Sequence, residues 1–267
     1  MCGCQRTRRE LFFGALGAAA LGLTACARST DTANIATGQL PPVASLSSVE
    51  VAPGLHIHPR SDWGADLPPK GAIGPEDVKF LLVHHTASSN VVPDPREVIR
   101  QTYAFQTGPS KRWPDICYHF MVGPDGSVWE TRSGSLTGPV VADATGGNQG
   151  FGQLVCLIGD FTTQAPTPPA QDSLMRTLIF LADRYNVDTD PAATTTFVSR
   201  GSNKFRAGTI VTTPTISGHR DVTFTACPGN VGYTLLGGWR SRVHATRLQR
   251  SDAGPIKRAV RLNTHLT

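Results

Sequence analysis

Ser217-Gly218-His219-Arg220-Asp221, followed six residues later by Cys227-Pro228-Gly229, stands at the end of an apolar segment. It sets an imidazole and a thiol eight positions apart, and zinc binds both His nitrogen and Cys sulfur readily. A third ligand is available in Leu81-Leu82-Val83-His84-His85-Thr86, at the end of a strand-like run. Three protein ligands and one open position are typical of a catalytic zinc. The His-Cys spacing alone is a weak signal, and the alternative is a set of purely structural residues.

Apolar periodicity predicts a mixed α/β domain over residues 55–243. The continuous apolar strand at 78–83 would be buried on both faces and would carry His84 to its C-terminal end. Asp94 and Pro95 are typical of the N-cap and first position of a helix. The other predicted elements are a strand-turn-strand unit at 118–130, a strand at 154–158, a helix at 171–185, a polar excursion at 197–208, one strand at 209–216 and a helix at 230–242. We therefore expect a single domain with a mixed central β-sheet flanked by helices.

The net charge of +5 is concentrated at the two ends of the 267-residue chain. Basic residues cluster at Arg6–Arg9 and again between Arg240 and Arg261, so the charge says little about the domain between them. No nucleic-acid groove is implied. Residues 244–267 are predicted to form a basic tail. That tail is either a solvated extension or a weak attachment to anionic wall polymers or phospholipid headgroups, which salt would screen.

Residues 1–25 are predicted to be an export signal and not part of the fold. The apolar run Leu11–Leu23 follows basic residues and is too short to span a bilayer comfortably. Thr7-Arg8-Arg9-Glu10-Leu11-Phe12 resembles a twin-arginine signal. Leu23-Thr24-Ala25-Cys26 resembles a bacterial lipobox, which would make Cys26 the lipidated first residue of the mature chain. The alternative is ordinary cleavage at the small-x-small site Ala25-Cys26-Ala27.

A flexible linker is predicted for residues 26–54, which are rich in Ser, Thr, Ala and Pro. Lipidation of Cys26 would hold an exported protein at the outer face of the cytoplasmic membrane. The linker would then let the domain reach the cell wall. We expect a monomer that contacts the membrane through this lipid anchor.

Of the six cysteines, three lie within or at the end of the predicted leader and three lie in the folded part. This count is too low for a disulfide scaffold. Cys117 and Cys156 could pair, or they could be two small buried hydrophobes. The sequence does not give the Cβ separation that a disulfide requires.

Three blocks of residues occur in an order that indicates a family. They are Val83-His84-His85-Thr86, then Tyr118-His119-Phe120-Met121-Val122 ahead of Pro124-Asp125-Gly126, then Gly218-His219-Arg220-Asp221 with Thr225-Ala226-Cys227-Pro228-Gly229. The chain resembles the zinc-dependent N-acetylmuramoyl-L-alanine amidases of the type-2 amidase and peptidoglycan recognition protein family. The likeness covers roughly residues 55–240 and implies zinc as cofactor and peptidoglycan as partner.

The resemblance also implies roles for particular side chains. His84, His219 and Cys227 match the zinc ligands, and strand alternation agrees that only one of two neighbouring histidines faces the metal. Tyr118 matches a catalytic tyrosine, whose phenol would orient water or donate to the developing oxyanion. Thr225 matches a position with Lys or Thr, and the alternative is a turn residue. Asp221 is either an anchor for a ligand His or Arg220, or a turn cap.

Substrate contacts implied by the resemblance are His85, Thr86, Asp143 and Asn148. The family segment G-A-H-x-x-G-x-N corresponds here to Val141-Ala142-Asp143-Ala144-Thr145-Gly146-Gly147-Asn148. Asp143 therefore replaces the family His, which exchanges a neutral or cationic donor for an anionic acceptor. This departure bears on the stem-peptide or glycan preference and leaves the zinc set intact.

Three functions fit these residues. The first is an amidase that cuts the bond between N-acetylmuramic acid and L-alanine during wall turnover or remodelling. The second is a recognition module that binds peptidoglycan without cutting it. The third is a zinc amidase that acts on another amide. Retention of His84, Tyr118, His219 and Cys227 favours the first.

Overall fold

The computed structural model describes Pro42 and residues 46–143 and 151–252. Cys26, Asn148, the predicted export signal, most of the predicted linker and the end of the predicted tail lie outside these residues. In chain order the described elements are β1 (Val49–Ala52), β2 (Leu55–Ile57), α1 (Ser61–Gly64), β3 (Phe80–His85), α2 (Pro95–Thr107), β4 (Phe120–Val122), β5 (Val128–Glu130), β6 (Gly152–Leu157), α3 (Pro168–Tyr185), β7 (Thr194–Val198), β8 (Ile210–Pro214), β9 (Ile216–Gly218), α4 (His219–Val222) and α5 (Asn230–Asp252).

A five-stranded sheet in the order β5-β4-β6-β3-β9 forms the centre. The strands β4, β6, β3 and β9 run parallel, and β5 pairs antiparallel with β4 at one edge. The register sets His84 opposite Cys156 and Val83 opposite Gly218. This arrangement confirms the predicted mixed α/β class and the predicted strand-turn-strand unit.

Every residue of β3 is buried, because the sheet is covered on both faces. Leu81 and Val83 pack in one apolar cluster with residues of α3 and α5. Phe80 and Leu82 point the other way, into a cluster that includes Ile99 and Tyr103 of α2 and Phe197 of β7. Alternation along β3 therefore assigns each residue near its C-terminal end to one face or the other.

Helix α2 begins where the sequence predicts. The Asp94 carboxylate accepts the backbone N–H of Arg96 at 3.0 Å, and Pro95 occupies the first helical position. These two features stabilise the helix start, because they satisfy or remove N–H groups that have no partner within the helix.

The predicted linker is wrong at its C-terminal end. β1 pairs antiparallel with β2, with Val49 opposite Ile57. Gly54 forms the connection with a φ of 72°, a backbone conformation that glycine adopts without steric cost. The Ala-Pro-Gly sequence at 52–54 is thus a hairpin turn, so the ordered domain starts before residue 55.

The single strand predicted at 209–216 is divided into two strands in the structure. β8 pairs antiparallel with β7 in a separate two-stranded sheet, while β9 joins the central sheet beside β3. Pro214 ends β8 and lacks the N–H that a continuing ladder needs. The predicted polar excursion at 197–208 is therefore the last two residues of β7 and most of the loop that connects β7 to β8.

The final helix is longer than predicted, because α5 continues to Asp252. The first part of the predicted basic tail, from residue 244 to 252, is thus helical. Arg247 holds this end of α5 against the end of α3, donating to Asp183 at 2.7 Å and to the carbonyl of Val187 at 2.9 Å.

Among the helices in the described ranges, none combines the length and the apolar character that a membrane span requires.

Cys117 and Cys156 are both buried, and neither forms a disulfide. Cys117 accepts a hydrogen bond from Nε2 of Gln106 at 3.3 Å. Of the two alternatives left by the sequence, the structure selects two small buried side chains.

Candidate metal centre

His84, His219 and Cys227 converge at the C-terminal end of the parallel sheet. His84 lies near the end of β3, and His219 follows the end of the neighbouring strand β9. Cys227 comes from the loop between α4 and α5. The ligand atoms of the three side chains all lie within 4.8 Å of one another. Sγ of Cys227 is 3.6 Å from Nδ1 of His84, and the two imidazole centroids are 4.3 Å apart.

The chemistry of these side chains fits a bound zinc ion. Within the described part of the chain, Nε2 of His84 and Nδ1 of His219 are buried without a hydrogen-bond partner. Such atoms are rare in folded proteins unless water or an ion completes them. Burial, and then the adjacent His219, hold the pKa of His84 well below its usual value. A neutral imidazole is the form that binds metal, and two imidazoles with a thiolate suit zinc.

Backbone contacts fix the position of Cys227. Its sulfur accepts the backbone N–H of His85 at 3.3 Å. The guanidinium of Arg220 donates to the carbonyls of Ala226 and Cys227, and its backbone N–H donates to the Cys227 carbonyl at 3.2 Å. Arg220, which follows His219, thereby links the two ends of the segment between His219 and Cys227.

Asp221 holds the start of α4. Its carboxylate accepts the N–H of Gly218 at 2.8 Å and the hydroxyl of Tyr233 at 2.5 Å. Of the two alternatives left by the sequence, an anchor for a ligand His or Arg220 and a cap, these contacts support the cap.

Tyr118 lies beside the three ligands. It belongs to the irregular segment before β4, is 6% exposed, and its ring centroid is 5.2 Å from that of His84. The carbonyl of Tyr118 accepts the hydroxyl of Thr131 at 2.7 Å, which anchors the backbone there. The aromatic ring of Tyr118 therefore lies next to one of the three candidate ligands.

Thr225 is half-buried two residues before the cysteine. Its hydroxyl oxygen accepts the N–H of Cys227 at 3.2 Å, so the alternative role as a turn residue is present in the structure. A hydroxyl can accept and donate at the same time, and this contact leaves its donor capacity intact.

His85 and Thr86 are arranged differently from the substrate contacts predicted for them. His85 is 2% exposed and packs against Phe161, whose backbone N–H it accepts at 3.3 Å. Strand alternation places it on the sheet face opposite to His84. Thr86 accepts the N–H of Gly159 at 2.8 Å and bonds Ser88 at 2.7 Å. Both residues support the loop after β6.

Asp143 pairs with a buried cation. Nη2 of Arg132 lies 3.0 Å from its carboxylate, and Arg132 is 1% exposed. Nη1 of Arg132 donates to the carbonyl of Ile116 at 2.8 Å. An acid at the position of the family His thus has a local partner. Asn148 lies outside the described residues, so its predicted contact stays a prediction.

A buried polar cluster next to β4 and β6 was not predicted from the sequence; its members are Glu76, His119 and Gln153. Nε2–H of His119 donates to the carbonyl of Val140 at 2.7 Å, and Nδ1 accepts the N–H of Leu154 at 2.8 Å. Gln153 donates to Glu76 at 2.5 Å. Burial raises the pKa of Glu76 to about 8 and lowers that of His119 to about 3. Isolated polar residues within apolar stretches give no periodic signal.

Comparison with known proteins identifies a family that this chain matches. A family model described as N-acetylmuramoyl-L-alanine amidase matches residues 74–230. An N-acetylmuramoyl-L-alanine amidase of Mus musculus is 31% identical over 220 residues, which are 77% of this chain and 36% of the mouse protein. The chain thus spans about a third of that relative's length.

Solved structures agree on the fold. The crystal structure of Drosophila peptidoglycan recognition protein SD matches with a TM-score of 0.53 and 24% identity, covering 69% of this chain and 95% of that one. Peptidoglycan recognition protein LE in complex with tracheal cytotoxin matches with a TM-score of 0.50 and 26% identity, covering 68% and 92%. The family model spans more than half of the chain, so the chain belongs to the type-2 N-acetylmuramoyl-L-alanine amidase and peptidoglycan recognition protein family.

Proposed function

We propose that the protein is a zinc-dependent amidase that hydrolyses the bond between N-acetylmuramic acid and L-alanine in bacterial peptidoglycan. The observation that carries this proposal is the convergence of His84, His219 and Cys227 within 4.8 Å, with two buried ring nitrogens that lack a partner among the described residues. A protein that only recognised peptidoglycan would not need this arrangement.

The amide in question is unreactive, and zinc would lower the pKa of a bound water from about 16 towards 7 and polarise the carbonyl. The chain supplies the surroundings. Burial lowers the pKa of His84 and keeps its imidazole neutral, which is the form that binds metal. Tyr118, whose ring centroid lies 5.2 Å from that of His84, would orient water or donate to the oxyanion. Thr225 adds a hydroxyl on the loop that carries Cys227.

The substrate class is supported by a relative. Peptidoglycan recognition protein LE was solved with tracheal cytotoxin, described as a monomeric diaminopimelic acid-type peptidoglycan. A muramyl peptide is therefore the substrate to test first.

The second candidate is a peptidoglycan-binding module without activity. It is favoured by the structural neighbours, which are named as recognition proteins. A zinc amidase that cuts a different amide is the third. All three share the fold and differ in what the metal centre does to a bound muropeptide.

Digestion of defined muropeptides separates these functions. Purified protein is incubated with muramyl peptides with and without a zinc chelator, and products are analysed by mass and by new N-termini. The proposal expects free alanine N-termini that disappear with the chelator. Intact muropeptide that binds without being cut would identify a recognition module, and cleavage elsewhere would identify a different amidase.

We also propose that the protein is exported through the twin-arginine route and anchored by lipid at Cys26, for wall turnover or remodelling. The motifs at Arg8-Arg9 and Leu23–Cys26 support this. Replacing both arginines with lysine should block export, because the receptor recognises the arginine pair. Cys26→Ala should move the protein from the membrane fraction to the soluble exported fraction. Normal export of the first variant, or unchanged membrane association of the second, would contradict the respective assignment.

A further inference from the structure

The loop of the β7–β8 hairpin contacts the segment that carries two of the three candidate ligands. We name residues 219–227, from His219 to Cys227, the ligand loop. We name Ser202–Lys204, at the end of the hairpin, the hairpin tip. The tip reaches the ligand loop across 16 to 21 positions of sequence and bonds its main chain at several points.

Lys204 makes the strongest of these contacts. Its ammonium donates to the carbonyl of Arg220 at 2.9 Å and to that of Asp221 at 2.8 Å. These are the two carbonyls that follow His219 directly. Hydrogen bonds from a charged donor are shorter and stronger than neutral ones, and a cation is favourable near exposed helix carbonyls. The backbone next to one ligand is thus held by a half-buried charge from another element.

Asn203 holds the middle of the same loop. Its side chain accepts the N–H of Phe224 at 2.9 Å and donates to the carbonyl of Phe224 at 3.0 Å. Ser202 adds a longer contact to the carbonyl of Val222 at 3.4 Å. Phe224 is 66% exposed, so little apolar packing fixes this part of the loop, and the side chain of Asn203 orders it instead.

We propose that Lys204 and Asn203 are positioning residues that set the spacing between His219 and Cys227 and so raise the affinity of the site for zinc. The inference rests on the proposed function. A loop that must be ordered on binding loses conformational entropy at that moment, and a loop that is already ordered does not. Because His219 and Cys227 lie on the same loop, disorder of that loop would weaken zinc binding through both ligands.

Zinc affinity of the full exported chain, measured by competition with a chromophoric chelator, tests the proposal. Lys204→Met keeps the aliphatic stem and removes the ammonium. We expect about tenfold weaker zinc binding, in the range seen when residues that orient metal ligands are removed. Arg206→Met is the matched control, because Arg206 is exposed in the same loop and the charge change is equal. Its zinc affinity should equal that of the wild type.

The melting temperature of the zinc-free protein separates positioning from bulk stability. A purely structural role would lower that temperature and leave the zinc dissociation constant unchanged, and this result would overturn the proposal. If Lys204→Met does not fold, Asn203→Ala, which removes only neutral bonds, replaces it and must also weaken zinc binding. Wild-type protein that binds no zinc would overturn the proposed function itself. Wild-type binding with unaltered variants would overturn only this inference.

Discussion

His84 and His85 show how one position along a strand separates two roles. Alternation turns His84 towards Tyr118 and His219, and turns His85 towards Phe161 on the opposite face. The first histidine is left with a buried nitrogen that lacks a partner among the described residues, and the second is used in packing and hydrogen bonding. Residue type alone does not distinguish the two histidines. The direction in which each side chain points does distinguish them.

Tyr118→Phe should lower kcat on muropeptides by on the order of 100-fold, the scale of losing one general acid–base or oxyanion donor. Zinc content should stay at the wild-type level, because the ring that contacts His84 is retained. Steady-state kinetics and metal analysis of one preparation check both statements.

Tyr103→Phe is the matched control, since it removes a buried hydroxyl on α2 that donates to the carbonyl of Pro68 at 2.6 Å. It should leave kcat unchanged. Wild-type turnover in Tyr118→Phe would remove this phenol from the mechanism.

At the scale of elements, the polar cluster at the start of β6 makes stability depend on pH. Glu76 is buried against Gln153, and its pKa of about 8 lies above the ordinary value of 4.5. Between these two pH values the folded state binds more protons than the unfolded state. This contribution to stability is therefore complete below about pH 4.5 and is lost as pH rises to about 8.

Glu76→Gln should flatten that dependence. The wild-type free energy of unfolding should fall more steeply from pH 5.5 to 7.5 than that of the variant, by up to about 1.4 kcal/mol per pH unit. Urea unfolding of zinc-free protein measures the difference, because zinc binding has its own pH dependence. Exposed Glu97→Gln on α2 serves as control. Equal slopes for wild type and Glu76→Gln would show that Glu76 is ionised throughout.

Elements with a strong apolar period were predictable, and those made by tertiary pairing were not. The burial of β3 and the start of α2 follow directly from their sequences. β1 was missed because two of its residues are exposed and two are half-buried, and because they acquire their conformation by pairing with β2. The last ten residues of α5 were missed because Arg247 docks on α3, a contact 60 or more positions away.

At the scale of the whole molecule, the candidate metal centre was predictable because its three ligands stand in ordered sequence blocks. The parallel strands β3 and β9 then bring His84 and His219 to the same edge of the sheet. The supporting contacts of Lys204, Arg132 and Glu76 were not predictable, because they join residues whose proximity only the fold creates. The ligands can thus be identified from short sequence blocks, whereas the contacts around them come from different parts of the domain.

The most direct test is zinc content measured together with muropeptide cleavage, on one preparation each of wild type and Cys227→Ser. We predict that the wild type holds one zinc per chain and releases alanine N-termini, and that the variant loses both the metal and the cleavage. A wild type that cleaves the muramyl amide after its zinc has been removed, or a Cys227→Ser variant that cleaves it at the wild-type rate, would contradict the account.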